Sequence, residues 1–296
     1  MKQAVVRAIR GLKLWEAGQT VAIAVSGGRD SLVLADVLLA TRGLHGGRLS
    51  IAHVDHGLHP DAPRWAAHVE AFAAERGVPC AVHRVTCGPS EDAARRARFA
   101  VLDGLPVDRV ALGHHARDQA ETVLVNLLRG TGPRGLGGMA PRRGRYVRPL
   151  LGLQPADLTA WAEERRLVWV EDPTNARPTY LRNRVRHELL PVLEGLREGS
   201  VTSLARSAAL AAEDEALLGD LAAELPLDPR VLAGAPRPLA RRRLRDLAPG
   251  ATVAQIEALL AAVQAGRGRV SIGGDVTIVV QTGEVVVEGD SGVHGG

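Results

Sequence analysis

Apolar positions along the chain fall into two rhythms. After an opening in which Val5, Val6, Ile9 and Leu12 recur at helical spacing, Val21 to Val25 is an unbroken apolar run, the pattern of a strand buried on both faces. A helical pattern covers Leu32 to Leu39. Leu49 to Val54 reads as a second strand ending in Asp55-His56-Gly57, Ala62 to Arg76 as a helix, and Pro79 to Val85 as a third strand. Glu91 to Leu102 is again helical, Arg109 to Leu112 is a fourth strand ending in Gly113-His114-His115, and a helix runs from His115 to Leu128. Strands and helices alternating at short intervals predict an α/β fold with a doubly wound parallel sheet. Ligands of such sheets bind at the carboxyl ends of the strands, where the SGGRDS, VDHG and GHH stretches all fall.

The rhythm then changes. Arg129 to Arg148 is rich in Gly and Arg and reads as a long loop. A helix over Pro155 to Arg166 and a short strand over Leu167 to Val170 follow. Beyond Leu196 an Ala- and Leu-rich helical pattern continues to about Ala265, broken by Pro226, Pro229, Pro236 and Pro238. The expected division is a catalytic domain over 1–197 and a smaller helical C-terminal domain over 198–296. Its end, Arg269 to Glu288, alternates around Gly273-Gly274-Asp275 and Thr282-Gly283-Glu284, the signature of a short antiparallel β tail.

Composition narrows the setting. No apolar run of the 296 residues reaches the roughly 18 needed to span a bilayer, and the N-terminus lacks a signal-peptide core, so a cytoplasmic protein is expected. Cys80 and Cys87 form no Cys-x-x-Cys pair and are expected to be incidental buried thiols. The net charge of +4 is carried almost wholly by arginine, since Lys2 and Lys13 are the only lysines. GC-rich coding accounts for much of that bias, but arginine also suits bidentate phosphate contacts.

The chemistry begins at Ser26-Gly27-Gly28-Arg29-Asp30-Ser31. A buried strand feeding a Gly-rich turn and a helix aims backbone N–H groups at an anion. A Walker-type loop would end in Gly-Lys-Ser/Thr, and here Asp30 stands where the lysine belongs. Asp30 cannot bind phosphate directly, which suits it to holding a Mg²⁺ that bridges phosphates. Asp118 and Glu121, three apart on one helix, share a face. Arg95 and Arg98, Arg182, Arg184 and Arg186, and the cluster Arg241, Arg242, Arg243 and Arg245 are candidate phosphate or RNA contacts.

The SGGxDS loop resembles that of the PP-loop ATP pyrophosphatases. The later motifs, in order, are His53-Val54-Asp55-His56-Gly57-Leu58, Gly113-His114-His115 with Asp118-Gln119-Ala120-Glu121-Thr122, Arg129-Gly130-Thr131-Gly132, Arg148-Pro149-Leu150-Leu151, Glu171-Asp172, Asn175, Tyr180, and Arg182 to Pro191. Together they look like those of the tRNA(Ile)-lysidine synthases. That resemblance implies a PP-loop/adenine nucleotide alpha hydrolase-like fold and a ligase. ATP adenylates the C2 carbonyl oxygen of the wobble cytidine of CAU-anticodon tRNA(Ile), and the ε-amine of L-lysine displaces AMP at C2 to give lysidine. It implies ATP and Mg²⁺ as cofactors. Ser26, Gly27, Gly28, Arg29, Asp30, Ser31, His56 and His114 would line the nucleotide, with Asp30 and Asp118 at the metal and Asp30, Asp118 and Arg95 in catalysis. Glu121, Arg98, Arg182, Arg184, Arg186, Arg241, Arg242 and Arg243 would face lysine or tRNA, Asn183 and His187 completing that surface. His53 is expected to be a satisfied core residue, and a homodimer is admitted on family grounds. Two positions depart from the family pattern: Arg117 replaces the first of two adjacent aspartates, and His59 stands where arginine is usual. A tRNA thiolase using the same adenylation, or a tRNA-binding relative without activity, are the alternatives.

Overall fold

The computed structural model describes residues 1–88, 90–171, 181–273, 276–281 and 283–288. The chain forms two compact units, Met1–Leu210 and Ala211–Gly296. In the first, β1 (Thr20–Ala24) is flanked by β2 (Arg48–Asp55) and β4 (Arg109–Ala111), both parallel to it. β3 (Cys80–Arg84) pairs parallel with β2, and β6 (Tyr146–Val147) parallel with β4, while β5 (Arg142–Arg143) closes the far edge antiparallel. The order is β3-β2-β1-β4-β6-β5.

The apolar run from Val21 follows from that central place. Val21 and Ile23 pack into a core built with helices α1 (Lys2–Gly11), α2 (Arg29–Ala40), α4 (Ala62–Glu75) and α8 (Pro155–Glu164); Ala22 packs on the other face with Leu102 of α5 (Glu91–Asp103). α3 (Arg42–His45) joins α2 to β2. Helix α6 (Ala116–Leu128) packs Ala120, Leu124 and Val125 against Val185 and Leu190. Those two belong to a segment that runs as α9 (Leu181–Arg184), a π-helical turn (Val185–Leu189) and α10 (Leu190–Leu196).

Three expectations need correction. The region 129–148 is not one loop: it holds α7 (Pro133–Leu136) and the β5–β6 hairpin, whose second strand extends the sheet through a two-residue pairing too short to show a periodicity. Leu167 to Val170 forms no strand; the Val170 N–H instead donates to Gly27 C=O (3.0 Å), laying this segment against the Gly turn. α1 stops at Gly11, so Leu12 is exposed and Leu14 and Trp15 enter the core in its stead.

Buried charge also ties the layers. Asp36 of α2, 2% exposed, accepts from Arg76 Nε (3.1 Å), Trp161 Nε1 (3.0 Å) and Arg165 Nε (3.0 Å). The second unit contains the C-terminal part of α11 (Ser200–Ala223), α12 (Pro229–Gly234), α13 (Arg237–Leu247) and α14 (Val253–Ala265), then the antiparallel sheet β7 (Gly268–Gly273), β8 (Val276–Gln281) and β9 (Glu284–Glu288). Leu232, Leu244, Ile256, Leu259, Ile278 and Val280 form its core. Among the described residues no helix is long and apolar enough to cross a membrane. Asp36→Ala would strand the Trp161 N–H and two guanidinium groups, and is expected to lower the unfolding free energy by about 3 kcal/mol in urea titrations.

Candidate nucleotide and substrate site

The chain leaves β1 through Val25 and turns at Ser26, Gly27 and Gly28 into α2. Gly27 sits at φ +91°, a conformation that side-chain-bearing residues rarely adopt. The turn braces itself: Ser31 Oγ donates to Gly28 C=O (2.8 Å) and accepts from the Ser26 N–H (3.1 Å), and Ser26 Oγ lies 3.2 Å from Ser31 Oγ. The first-turn N–H groups of α2 are left to point out of the helix, a concentration of partial positive charge suited to phosphate. Gly113, at the end of β4, lets that helix end come close: a Cβ there would lie 3.1 Å from the Asp30 carbonyl oxygen. Arg29 is committed within the protein, Nε to Asp30 Oδ1 (2.9 Å) and Nη1 to Thr159 Oγ1 (3.0 Å).

Beside the loop lies a cluster of opposed charges. His115 caps α6, its Nδ1 accepting from the Arg117 N–H (3.2 Å), which leaves Nε2 as the ring donor that faces the carboxylates. That Nε2 is 3.3 Å from Asp30 Oδ2 and 3.6 Å from Asp118 Oδ2. Asp118 Oδ2 also accepts from the His115 N–H, and its Oδ1 from Arg182 Nη2 and Arg186 Nη2, both at 3.1 Å. Glu121, with no solvent exposure, accepts from Arg182 Nε (3.0 Å) and from Arg186 Nε and Nη2. Burial pushes Asp30 and Asp118 upward, but His115 and the adjoining guanidinium groups outweigh it and hold both carboxyls below the ordinary aspartate range. Burial likewise opposes the charge on Arg186, and the Glu121 hydrogen bond and charge raise its pKa despite it.

Neutral groups complete the rim. Burial drives His114 down to about 3, and burial together with Arg98 lowers His56. The Nδ1 atoms of both are buried without a partner among the described residues, leaving polar positions for a nucleobase or ribose. Arg95 and Arg98 lie over the Phe99 ring, 4.9 and 5.8 Å from its centroid. His53 is a core residue, Nδ1 2.8 Å from Val25 C=O. Cys80 and Cys87 are free and half-buried rather than buried.

The structure sorts the remaining arginines. Arg182 and Arg186, four apart, share a helical face and meet the carboxylates; Arg184 lies off that face and pairs with Glu188 on the surface. Their alternation in sequence therefore marks helix, not a single extended surface. In the second unit, Arg241 pairs with Glu257, Arg242 with Glu215, and Arg243 donates to Leu225 C=O. Asp172, Asn175 and Tyr180 lie outside the described residues. Sequence reasoning missed the linking role of His115; the signal was a His three residues before Asp118 at a helix start, a capping-box arrangement.

Residues 1–193 match the family model of the PP-loop domain. The tRNA(Ile)-lysidine synthase of Pseudomonas fluorescens is 42% identical over 226 residues, covering 73% of this chain and 51% of that protein. The enzyme of the same name from Azoarcus sp. is 43% identical over 210 residues, 67% of this chain and 47% of its own. Among solved structures, the U34-tRNA thiolase NcsA from Methanococcus maripaludis with its 4Fe-4S cluster superposes with a TM-score of 0.57 at 22% identity, over 72% of this chain and 78% of that one, a likeness of fold. The chain belongs to the PP-loop family of ATP-using domains. It spans about half the length of the curated relatives it matches.

The histidine at the rim gives a pH signature. Because the folded His114 takes up its proton only near 3 against 6.5 when unfolded, the unfolded chain binds more protons between those values, and stability falls as pH drops through that window. His114→Asn is expected to flatten the decline in unfolding free energy measured by urea titration from neutral pH downward. An unchanged slope would exclude a buried neutral imidazole.

Proposed function

We propose that this chain ligates L-lysine to C2 of the wobble cytidine of CAU-anticodon tRNA(Ile), consuming ATP and releasing AMP and pyrophosphate. The observation that carries this reading is the placing of a phosphate-type loop and the paired carboxylates Asp118 and Glu121 at one end of one sheet, in a chain whose residues 1–193 match the PP-loop domain and 73% of which is similar to a lysidine synthase.

The chemistry follows from the groups present. The cytidine C2 oxygen attacks the α-phosphorus of ATP, and pyrophosphate departs into the N–H groups at the start of α2, where developing charge is met by fixed dipoles. The adenylated oxygen is then a good leaving group, and the lysine ε-amine adds at C2 as AMP leaves. The amine must be neutral to attack, and ionised Asp118 and Glu121 are suited to draw in its charged form and accept the proton. Arg182 and Arg186 already contact both carboxylates, so the amine enters by displacing part of that contact. His56 and His114 face the nucleotide, while Arg95 and Arg98 approach its phosphates or the RNA.

The donors fit Mg²⁺. Asp30 is about one-third exposed beside the helix N-terminus, with Asp118 across His115. Among the described residues there is no group of three His, Cys, Asp or Glu placed to cage a metal; a Mg²⁺ held by Asp30 would draw its other ligands from phosphates and water. Bound there, it would neutralise phosphate charge.

Incubation with ATP, Mg²⁺, L-lysine and a CAU-anticodon tRNA(Ile) transcript, followed by nucleoside mass spectrometry, is expected to show a lysine-sized addition to one cytidine. AMP release without the adduct would assign a different acceptor, a thiolase among them; no AMP release would leave only a tRNA-binding role. Asp30→Asn is expected to slow AMP formation by about a hundredfold or more.

In the second unit, Arg241, Arg242 and Arg243 would contact the tRNA body by exchanging Glu257 and Glu215 for phosphates. Replacing all three by Ala is expected to reduce the slope of log affinity against log salt by about two to three. A slope unchanged, with a lowered melting temperature, would make the cluster purely internal.

A further inference from the structure

Arg117 precedes Asp118 on α6, and its contacts are not those of a solvated cation. The turn Val185–Leu189 is π-helical: the Leu190 N–H donates to Val185 C=O, five residues back. Continued by one residue, that register would pair Arg186 C=O with the N–H of position 191. Position 191 is proline, which has none. The carbonyl so deprived accepts instead from Arg117 Nη2 at 3.0 Å, across from α6. Arg117 Nε is buried without a partner among the described residues, 3.9 Å from Glu121 Oε1. One guanidinium thus touches the backbone of the residue whose side chain grips Asp118 and Glu121, and also borders the carboxylate being gripped.

We propose that Arg117 is a positioning residue of the amine site: by supplying the donor that Pro191 lacks, it fixes the π turn on α6 and so sets Arg186 against Glu121 and Asp118. The carboxylates are then presented to an incoming amine in one arrangement. Arg117 contacts neither lysine nor nucleotide itself. An aspartate at this position could not donate to the carbonyl and would add a negative charge beside Glu121.

The assignment rests on the proposed lysine ligation only where it concerns the substrate, so its test has two independent arms. Arg117→Met keeps the side-chain stem and removes the donors; Arg117→Lys keeps one donor. In the full chain, the Arg186 Nε–H resonance in NMR spectra of the unmodified protein is expected to be dispersed and protected from solvent exchange, to become solvent-like in Arg117→Met, and to recover in part in Arg117→Lys. In turnover assays Arg117→Met is expected to raise KM for lysine about tenfold, with Arg117→Lys intermediate and KM for ATP changing less than about twofold. An Arg186 resonance indifferent to both substitutions would overturn the proposal, as would equal rises in KM for lysine and ATP, which mark general loosening. If the unmodified protein forms no lysine adduct, the ligation reading fails, and the Arg186 resonance alone decides the positioning role.

Discussion

Glu121 has no access to water, and a carboxylate so placed must be charge-compensated or carry a penalty of several kcal/mol. Much of the site's geometry follows from that requirement. The compensation comes from Arg182 and Arg186, on a segment some sixty residues later in the chain, so α6 and the α9–π–α10 stretch are joined by the charges as well as by the packing of Leu124 and Val125 on Val185 and Leu190. The same arginines reach Asp118, Asp118 holds His115, and His115 reaches Asp30 in the phosphate loop. A single line of polar contacts therefore runs from the start of α2, through His115, to the face of α6 that carries Asp118 and Glu121.

The sheet decides where that line begins. β1 lies between β2 and β4; the connection from β1 runs to β2 on one side and the connection from β3 crosses to β4 on the other, which opens a crevice at the carboxyl end of β1. The loop that follows β1 occupies this switch point, and Gly113 after β4 allows the start of α2 to approach closely enough to share the crevice. Gly27, Gly113 and the cap at His115 thus act together: one turns the chain, one makes room, and one aims the next helix.

Legibility in the sequence followed the range of the interaction. β1 was readable because burial on both faces demands an unbroken apolar run, β2 and β4 because short, mostly apolar runs end in turn residues, and the SGGRDS turn because a phosphate loop is local. β6 was not, since two residues carry no period, and Leu167 to Val170 misled because an apolar run also serves a segment lying on a Gly turn. Arg182, Arg184 and Arg186 read as one surface until helical geometry put the middle one outside. The arginines of α13 read as a free cluster because Glu215 and Glu257, their partners, stand 27 and 16 residues away. Local rules give no hint of pairs closed only by tertiary packing.

Arginine abundance, which composition alone could assign to coding bias, acquires a physical content at the carboxylates. Arg186 reaches Asp118 through Nη2 and Glu121 through Nε and Nη2, bridging two acids with one rigid fork. An ammonium concentrates its donors at a point and cannot span both acids in that way. Under the proposed ligation, an entering amine would replace a portion of these arginine contacts and leave the rest, so the fork that compensates the buried Glu121 in the free protein would go on doing so with the amine bound.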